Sequence, residues 1–585
     1  MAAITGSTQE VVYAVQKFLG LNQSPDGDTK LKPGEASIMR NFRVTRAGNL
    51  QRRPGFKRLR SGNFTAMWSG VVTGTEYLIC ATTTNLYSWN GTTWATIGAM
   101  SNCVSMFGYD GKAWFLSGSA YKVWDGVTLS DVAGYIPVIL INCDKNGAGD
   151  ELEQINKLTG KRRVRYSPDG STTSFTLPET AASVNSVTLN GTAAAYSFAS
   201  NKVTLSSAPA AGTNTLEVTY TVSTNYAYQV KAMRYAELYN GAQDTRVFLY
   251  GDGSNQAFYS GLDESGKPRA DYFPDLNVLD IGESNTPITG MIRHFSELVC
   301  YKSNATYTVQ YGTLGLENGS VIAAFYSKPV NRTIGNLAMG QVRLVLNSPF
   351  TLYGNDAYEW KGSAYSGNLT YDERQAKRIS DRIHATLASF DLAQCRCWDD
   401  NDGQEYYILS PDGRVAVYNY AADAWYEYDN VLAAAMANYK GELYFCNKYG
   451  VYHFDSQWKD DNGVAIDAVW ESGSIAFGKD YMRKSSALVW IGTKRETSTY
   501  LDVTLHTDRK GEFATKTIST YLASFANLNF AAFSFNTNYQ PHITRLKLKA
   551  KKFVYYKLVF RNNVASTQAT VTAADVRVRF VGYAK

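Results

Sequence analysis

The sequence predicts an all-β protein of several domains, and three observations lead to that prediction. Aromatic residues make up 13% of the chain, and Tyr alone occurs 41 times. Segments rich in Glu, Leu and Lys, which form ordinary helices, are scarce, whereas aromatic and β-branched residues suit the half-buried surface of a pleated sheet. A length of 585 residues exceeds what one hydrophobic core can fill. We therefore expect several β domains in one chain.

A recurrent pattern runs through the middle of the chain: an alternating apolar strand ends in an aromatic residue and is often followed by a turn containing Asn, Asp or Gly. The alternation puts side chains on both faces of a sheet, and Asn-Gly or Asp-Gly supplies the positive φ of a tight hairpin. The repeat is 35 residues from Trp89 to Trp124 and 34 from Tyr420 to Phe454. Four short strands per repeat of this length are typical of a β-propeller, so we predict six to eight blades over residues 61–145 and 225–463. Copies of the pattern lie at residues 86–91, 121–126, 258–259, 307–309, 358–362, 417–420 and 451–455.

Residues 146–224 interrupt this repeat. The segment is rich in Thr, Ser and Ala, with turn signals about every ten residues, as in a small β-sandwich. It resembles the immunoglobulin-like modules that are carried as insertions in larger proteins. We expect the propeller to tolerate its removal, because an inserted domain enters and leaves at neighbouring points of a loop.

From residue 464 to residue 585 the strands become longer, and we predict a second β domain, a sandwich. One strand there carries Arg545, Lys547, Lys549 and Lys551, with Leu or Ala at the positions between them. This alternation places four cations on one face and the apolar residues on the other. The cationic face is either a binding surface for an acidic partner or an ordinary solvated surface.

The two ends of the chain are basic and the middle is acidic. Residues 1–60 carry 11 Lys and Arg against 4 Asp and Glu, a net charge of +7, and residues 464–585 carry 18 against 8, a net charge of +10. This leaves residues 61–463 with 29 against 40, a net charge of −11. The shared sign favours a single basic domain, made from both ends, on an acidic body.

The N-terminal segment carries three motifs in order: Asn22-Gln23-Ser24-Pro25, Asn41-Phe42-Arg43 and Gly48-Asn49-Leu50-Gln51-Arg52-Arg53-Pro54-Gly55. No acidic residue occurs from Ala36 to Thr75. This order resembles the start of the tail nozzle proteins of short-tailed bacteriophages, also called tail tubular protein B, which have a Gln-rich loop, an Asn-centred segment and a G-L-x-x-R-P turn. The alternative is a basic arm, punctuated by Gly and Pro, of any β-rich protein.

The resemblance implies a structural subunit at the tail tip of the virion. It implies a hexameric ring around a channel for DNA ejection, with viral DNA passing through transiently. It also implies that residues 1–60 pack with the C-terminal part as a platform on the head-to-tail adaptor protein, flanked by tail fibre or spike proteins. The residues that match the family motifs are Gln23, Ser24, Pro25, Asn41, Arg43, Gly48, Leu50, Arg53, Pro54 and Gly55.

The sequence offers no signature of a cofactor or of an enzyme. The five His residues are not at metal-ligand spacing, and no nucleophile elbow, P-loop or dinucleotide fingerprint occurs. Seven scattered Cys without a CxxC pair argue against a disulfide framework or a zinc site, so we expect reduced, mostly buried thiols. No apolar stretch approaches the roughly 18 residues that a membrane-spanning helix requires.

Several short motifs have two interpretations. Ser-Pro-Asp-Gly occurs at residues 24–27, 167–170 and 410–413 and is similar to the Asp-box of sialidase-type propellers, but its spacing favours a plain turn. Residues 398–403 fall short of a calcium loop, since Trp398 stands where the first Asp ligand is needed. A pair of carboxylates for glycoside hydrolysis is a spatial feature that the sequence leaves open. The alternative function is therefore a receptor- or glycan-binding tail protein, or a depolymerase, with aromatic residues stacked on sugars instead of packed between blades.

Overall fold

The computed structural model describes residues 10–25, 27–240, 245–315, 321–361, 375–521 and 541–583. Its regular structure is nearly all β, which confirms the predicted fold class of a propeller-type body, an inserted sandwich and a domain formed by both chain ends. The chain divides into two compact units. Unit 1 holds Met1–Phe64, Arg343–Lys361 and Ala376–Lys585, and unit 2 holds Thr65–Val342 and Gly362–Gln375.

Unit 2 contains four antiparallel sheets of four strands each, which we number as blades in chain order. Blade 1 has the strands Phe64–Val72, Thr75–Thr82, Asn85–Trp89 and Trp94–Ala99, and blade 2 has Ser105–Tyr109, Lys112–Leu116, Tyr121–Trp124 and Leu129–Asp131. Blade 3 has Tyr235–Tyr239, Arg246–Tyr250, Gln256–Tyr259 and Val278–Asp280, and blade 4 has Ile288–His294, Glu297–Lys302, Thr306–Gly315 and Val321–Asn331.

Unit 1 contains three further four-stranded sets of the same kind. Blade 5 has Arg343–Val345, Ser348–Tyr353, Asp356–Lys361 and Gln375–Arg378, and blade 6 has Arg396–Asp400, Glu405–Leu409, Val415–Asn419 and Ala424–Tyr428. Blade 7 has Ala435–Tyr439, Glu442–Asn447 and Gly450–Asp455, and its fourth strand is Gly55–Ser61 from the N-terminal arm. The described residues therefore hold seven blades, within the predicted range of six to eight.

The repeated sequence pattern marks the third strand of every blade. Trp89 ends the third strand of blade 1, and Trp124 ends that of blade 2. Trp360 and Phe454 lie one residue before the end of the third strands of blades 5 and 7. An aromatic side chain at this point is large enough to fill the space between packed sheets, and Trp360 is completely buried.

The insertion is a two-sheet sandwich. One sheet has the strands Val138–Cys143, Asp150–Glu151, Lys161–Tyr166, Ser183–Leu189, Thr192–Ala193 and Leu216–Thr221, and the other has Ser174–Thr176, Tyr196–Ala199 and Lys202–Leu205. Tyr166, Phe175 and Tyr220 are among the buried residues of its own core. The sandwich thus begins at Val138, eight residues before the predicted start at 146.

Part of the predicted insertion belongs to the propeller body. Leu158 is buried among core residues of blades 2 and 3. Asn156 donates hydrogen bonds of 2.8 Å to the carbonyl oxygens of Tyr135 and Asp271 and accepts one of 3.0 Å from the Phe273 N–H. The chain leaves the body again at Gly160, whose carbonyl oxygen accepts a 3.0 Å hydrogen bond from the N–H of Val222. The sandwich is therefore formed by two chain segments, residues 138–151 and 161–221, on either side of this stretch of the body.

Both chain ends form a platform domain in unit 1. One sheet contains Glu10–Val15, Phe42–Val44, Leu50–Arg52, Met482–Thr493, His542–Phe553 and Thr570–Tyr583. The other strands are Gly20–Leu21, Glu35–Arg40, Ala468–Ser472, Ser498–Thr507, Lys510–Tyr521 and Tyr556–Asn562, which continue the sheet of blade 6. N-terminal strands pair directly with C-terminal ones, as Glu10–Val15 does with residues 574–579.

The N-terminal arm also differs from the prediction at its end. The sequence and the family resemblance predict that residues 1–60 belong to the platform as a whole. Instead, Gly55–Ser61 pairs antiparallel with Gly450–Asp455 in blade 7. Gly55 makes this pairing possible, because it lets the arm cross closely over the chain after blade 7. Any side chain at this position would place its Cβ 2.0 Å from the carbonyl oxygen of Asp460.

Helices are short. The α-helices are Ala227–Lys231 and His384–Ala388, and the 3-10 turns are Asp28–Lys30, Asp381–Ile383 and Leu392–Gln394. The Ser-Pro-Asp-Gly segments at residues 167–170 and 410–413 are plain turns, in which Asp169 and Asp412 accept backbone N–H bonds from residues two or three positions later. Asp26, in the copy at residues 24–27, lies outside the described residues.

Candidate partner-binding face

The strand His542–Phe553 has one buried and one cationic face. Leu548 and Ala550 are at most 1% exposed, and Leu546 is 8% exposed. Arg545, Lys547, Lys549 and Lys551 are all exposed, as the alternation predicts. Among the described residues, no carboxylate lies within ion-pair distance of these four side chains.

The neighbouring strands extend this charged surface. Arg577 and Arg579 on Thr570–Tyr583 are exposed and point to the same side of the sheet. They alternate with buried Val and Phe residues, as the cations of the strand His542–Phe553 alternate with Leu and Ala. The sequence analysis did not identify this second cationic strand. We call Arg545, Lys547, Lys549, Lys551, Arg577 and Arg579 the cationic face.

An aromatic side chain lies at the centre of the cationic face. Trp490 is half-buried on the strand Met482–Thr493, which pairs with both cationic strands. It is opposite Arg545 on one side and Asp575 on the other, and the Arg577 guanidinium lies 6.0 Å from its ring centroid. Trp flanked by cations is a common anchor of protein interfaces.

Two carboxylates reduce the charge of the face. Glu10 pairs with Arg577 at 3.5 Å and with Arg579 at 3.0 Å, and these two cations lower the pKa of Glu10. Asp575 lies on the same side as Arg577 and is half-buried. The strand His542–Phe553 is therefore the more strongly charged part of the face, because no carboxylate of the described residues compensates its four cations in this way.

The residues that match the family motifs lie away from the cationic face, and several of them, such as Asn41 and Arg53, are buried inside unit 1. Arg53 is fully buried and donates two hydrogen bonds to the Asp461 carboxylate, of 2.8 and 2.6 Å. Its Nε donates to Asn41 Oδ1 at 2.9 Å, and Nη2 donates to the carbonyl oxygen of Asp429 at 3.0 Å. A buried guanidinium needs this degree of pairing, since an unpaired buried charge costs several kcal/mol.

Asn41 connects the arm to blade 6 and to the platform. Its backbone has φ of 56°, a left-handed conformation that Asn adopts more readily than most residues. Its side-chain amide donates to the carbonyl oxygen of Asp467 at 2.9 Å and also to the Asp429 carboxylate, and its Oδ1 accepts the Asp429 N–H at 3.0 Å. We call Asn41, Arg53, Asp429 and Asp461 the hub.

Arg52 has a separate set of partners, in the segment after blade 7 and in the C-terminal part of the chain. It donates to Asn562 Oδ1 at 2.8 Å and to the carbonyl oxygens of Lys459, Val564 and Thr567. Burial, reinforced by the charge of Arg53, lowers the pKa of Arg52 to about 10. The two adjacent arginines therefore attach the arm to different parts of unit 1: Arg53 to Asp429 and Asp461, and Arg52 chiefly to the C-terminal part of the chain.

The remaining motif residues shape the arm. The Gln23 amide donates to Thr386 Oγ1 at 2.9 Å and accepts the Thr386 N–H at 3.0 Å, which fixes the first loop on the helix His384–Ala388. The Ser24 hydroxyl is exposed and donates to Asn22 Oδ1 at 2.7 Å, and Pro25 next to it is half-buried.

The second half of the motif forms a turn and its return strand. Gly48 has φ of 78°, which only glycine adopts without strain, and its N–H donates to the Thr45 carbonyl oxygen at 2.8 Å. Leu50 is fully buried, whereas Arg43 and Pro54 are half-buried. The Arg43 guanidinium donates to Gln51 Oε1 at 3.0 Å across the hairpin. The motif residues thus act in folding, and the candidate partner surface lies on other strands.

The chain matches no family model and no curated protein sequence. Many solved structures are similar to this chain at a low level, and two of them serve as examples. A chain of a mitotic checkpoint complex is 10% identical, with 66% of this chain and 87% of that chain covered and a TM-score of 0.31. The AfRom2 CNH domain is 7% identical, with 69% and 97% covered and a TM-score of 0.32. We draw no functional conclusion from likeness at this level.

The described residues include no cluster of three or more His, Cys, Asp or Glu side chains placed to hold a metal ion. Within the same part of the chain, no helix is long and apolar enough to cross a membrane. All seven cysteines are buried, and burial raises the pKa of Cys103 to about 12 and that of Cys397 to about 11. Such thiols are not reactive near neutral pH.

Proposed function

We propose that this chain is a structural subunit of a bacteriophage tail nozzle, located at the tail tip, which assembles as a hexameric ring around the channel for DNA ejection. The proposal rests on where the residues that match the family motifs lie in the fold. The arm contacts blade 6, blade 7 and the platform through Asn41, Arg53 and Gly55. A motif of this kind indicates a shared fold more strongly than an exposed basic arm would.

The cationic face supports attachment to a partner with an acidic surface. Four of its six cations, on the strand His542–Phe553, have no ion-pair partner among the described residues and repel one another. A complementary surface would relieve that repulsion and speed encounter. We assign this surface to the head-to-tail adaptor. Tail fibre or spike proteins are further partners on the basis of the family resemblance.

The charge distribution suits a passage for DNA. Every cation that contacts a phosphate adds salt-dependent affinity and would slow a moving duplex. The middle of the chain, residues 61–463, carries a net charge of −11. A channel lined by this part of the chain would let DNA slide without binding it.

The mass of the purified full-length protein tests this proposal. We expect sedimentation equilibrium or mass photometry to give a closed assembly with the mass of a hexamer, alone or after mixing with the adaptor. A stable monomer or trimer under both conditions would contradict the proposal. A matched control is the same measurement on a variant with Gln at the four cations of the strand His542–Phe553, which should keep its fold.

A further inference from the structure

The dipeptide Asn-Gly forms tight turns and is also chemically reactive. Its reaction begins when the backbone nitrogen after Asn attacks the Asn side-chain carbon, and Gly has no Cβ to shield that nitrogen. Gly241, Asn318 and Gly319 lie outside the described residues, which leaves four complete copies in the described part of the chain. The dipeptide occurs six times in the sequence, at residues 90–91, 146–147, 190–191, 240–241, 318–319 and 462–463.

In one of the four copies, hydrogen bonds fix the Asn side chain. The side-chain carbonyl of Asn90 accepts the N–H groups of Thr92 and Thr93 at 2.9 and 2.8 Å. These bonds point the carboxamide along the turn that follows. They must break before its carbon can meet the nitrogen of the next residue.

In two further copies, a hydrogen bond fixes the attacking nitrogen. The Gly147 N–H donates to the carbonyl oxygen of Asp144 at 3.1 Å. The Gly463 N–H donates to Asp460 Oδ1 at 2.7 Å. Since the nitrogen must give up this proton before it can attack, each bond slows the reaction.

The copy at residues 190–191 lacks both kinds of bond. No described residue forms a hydrogen bond with the Asn190 side chain or accepts the Gly191 N–H. Both residues are exposed, and no atom of a non-adjacent described residue lies within 4 Å of the place that a Cβ on Gly191 would take. The carboxamide can therefore approach the nitrogen without displacing a neighbour.

The hairpin that carries this copy is weakly closed. Asn190 and Gly191 have φ of 49° and 78°, and they form the two-residue turn between the sandwich strands Ser183–Leu189 and Thr192–Ala193. The second strand has two residues and lies at the edge of its sheet, where two register pairs join it to the first. A short edge hairpin opens locally. Opening lets the Asn190 backbone rotate into the geometry of ring closure.

We propose that Asn190 is a site of spontaneous deamidation in the folded protein, and the fastest of the four described Asn-Gly sites. The Gly191 nitrogen loses its proton to solvent and bonds to Asn190 Cγ, and ammonia leaves as a five-membered succinimide closes. Water then adds to one of the two ring carbonyls. Cleavage of the new Cγ–N bond gives aspartate, and cleavage of the original backbone C–N bond gives isoaspartate.

This modification changes the charge and the backbone of the sandwich edge. Both products carry a carboxylate in place of the neutral carboxamide, and isoaspartate adds one atom to the main chain between residues 190 and 191. A two-residue turn is matched to the strands that it joins, so the extra atom disturbs their register. We expect the strand Thr192–Ala193 to separate in the isoaspartate form, while the buried core around Val187 and Val203 stays packed.

Peptide mapping by mass spectrometry tests the site on the full-length protein, incubated under native, mildly alkaline conditions. Deamidation adds the mass difference between a hydroxyl and an amino group. We expect Asn190 to react at least about 3-fold faster than Asn90, Asn146 and Asn462, since each hydrogen bond that must first break slows the reaction about 3- to 10-fold. The rate at Asn190 should rise with pH, because the attacking nitrogen must lose a proton. In urea the four rates should converge.

Asp460→Ala is the matched variant, because it frees the Gly463 N–H and leaves the sandwich unchanged. It should speed deamidation at Asn462 about 3- to 10-fold. Unchanged rates at Asn90 and Asn190 would show that the variant keeps its fold. Three results would overturn the proposal: a rate at Asn190 no higher than at Asn90 in the folded protein, the same order of the four rates in urea, or an unchanged rate at Asn462 in the variant.

Discussion

Arg53 and Asp461 form a bidentate ion pair from which solvent is excluded. Both hydrogen bonds are short, 2.8 and 2.6 Å, and the two side chains are 0% and 1% exposed. The residues are 408 positions apart, so this one contact joins the start of the chain to the segment after blade 7. The arm is therefore a structural part of unit 1 and not a loose basic tail.

Removal of one partner of this pair should be strongly destabilising. We expect Asp461→Asn to lower the free energy of unfolding by about 3–5 kcal/mol, because the Arg53 charge stays buried without its counter-ion. The control is Asp381→Asn, which breaks an exposed pair with Arg378 and should cost about 0.5 kcal/mol or less. Urea denaturation of both variants gives the comparison, and equal losses would show that the hub is not a stabilising centre.

Loss of the arm should affect the C-terminal strands. Without residues 1–60, the strand Thr570–Tyr583 loses its pairing with Glu10–Val15, and blade 7 loses the strand Gly55–Ser61. We expect residues 61–585 to expose amides of the platform to rapid hydrogen exchange, while those of blades 1 to 4 stay protected. Full protection of residues 570–583 in this truncated chain would contradict the expected dependence.

The sandwich should be separable only as two segments, residues 139–152 and residues 161–221. Replacing each with a short Gly/Ser linker joins Val138 to Glu153 and Gly160 to Val222, pairs that are already hydrogen-bonded, and removes the sandwich core together with ion pairs such as Arg165 with Glu264 at 2.9 Å. We expect a soluble, cooperatively melting protein. Replacing residues 146–224 removes Asn156 and Leu158 from the body and should yield insoluble protein. The reverse order of solubility would refute this boundary.

The four cations of the strand His542–Phe553 should control attachment to an acidic partner. Changing Arg545, Lys547, Lys549 and Lys551 to Gln should leave the melting temperature unchanged, weaken adaptor binding at low salt and flatten its dependence on ionic strength. Lys440→Gln with Lys448→Gln, two exposed cations of blade 7, is the control. If the fourfold variant binds the adaptor with wild-type affinity and wild-type salt dependence, this strand is an ordinary solvated surface.

Stability should depend on pH through Asp399. Burial, together with the neighbouring Asp400 carboxylate, raises the pKa of Asp399 to about 7. Between about pH 4 and pH 7 the folded chain holds a proton that the unfolded chain has released, so this carboxyl makes the protein less stable as pH rises through that range. Its contribution is then constant above pH 7.

The substitution Asp399→Asn isolates this effect. We expect the free energy of unfolding of the wild type to fall by about 1–2 kcal/mol more than that of the variant between pH 5 and pH 8, allowing for partial exposure of the group. Denaturation curves at the two pH values provide the measurement. Parallel behaviour of the two proteins would show that Asp399 titrates normally.

The strand repeat could be predicted from local pattern, and the hub could not. An aromatic residue at the end of the third strand follows from alternation and turn chemistry within a few residues, so Trp89 and Trp124 were sufficient to give the blade spacing. The partners of Arg53 depend on which distant loops meet, and no local signal marks Asp461.

The strand His542–Phe553 shows what a local sequence pattern can predict and what it cannot. Alternation placed Arg545 and Lys547 on one exposed face without reference to the rest of the fold. That Arg577 and Trp490 extend the same face depends on strand order, since residues 482–493 lie between the two cationic strands. Strand order in a sheet built from both chain ends is set by long-range pairing.

Negative-stain electron microscopy of the purified full-length protein is the direct test of the proposed ring. We predict ring-shaped class averages with rotational symmetry and an open axial channel wide enough for duplex DNA. Isolated single chains, or compact oligomers without a channel, in the presence of the adaptor would contradict the assignment of this protein to the tail nozzle.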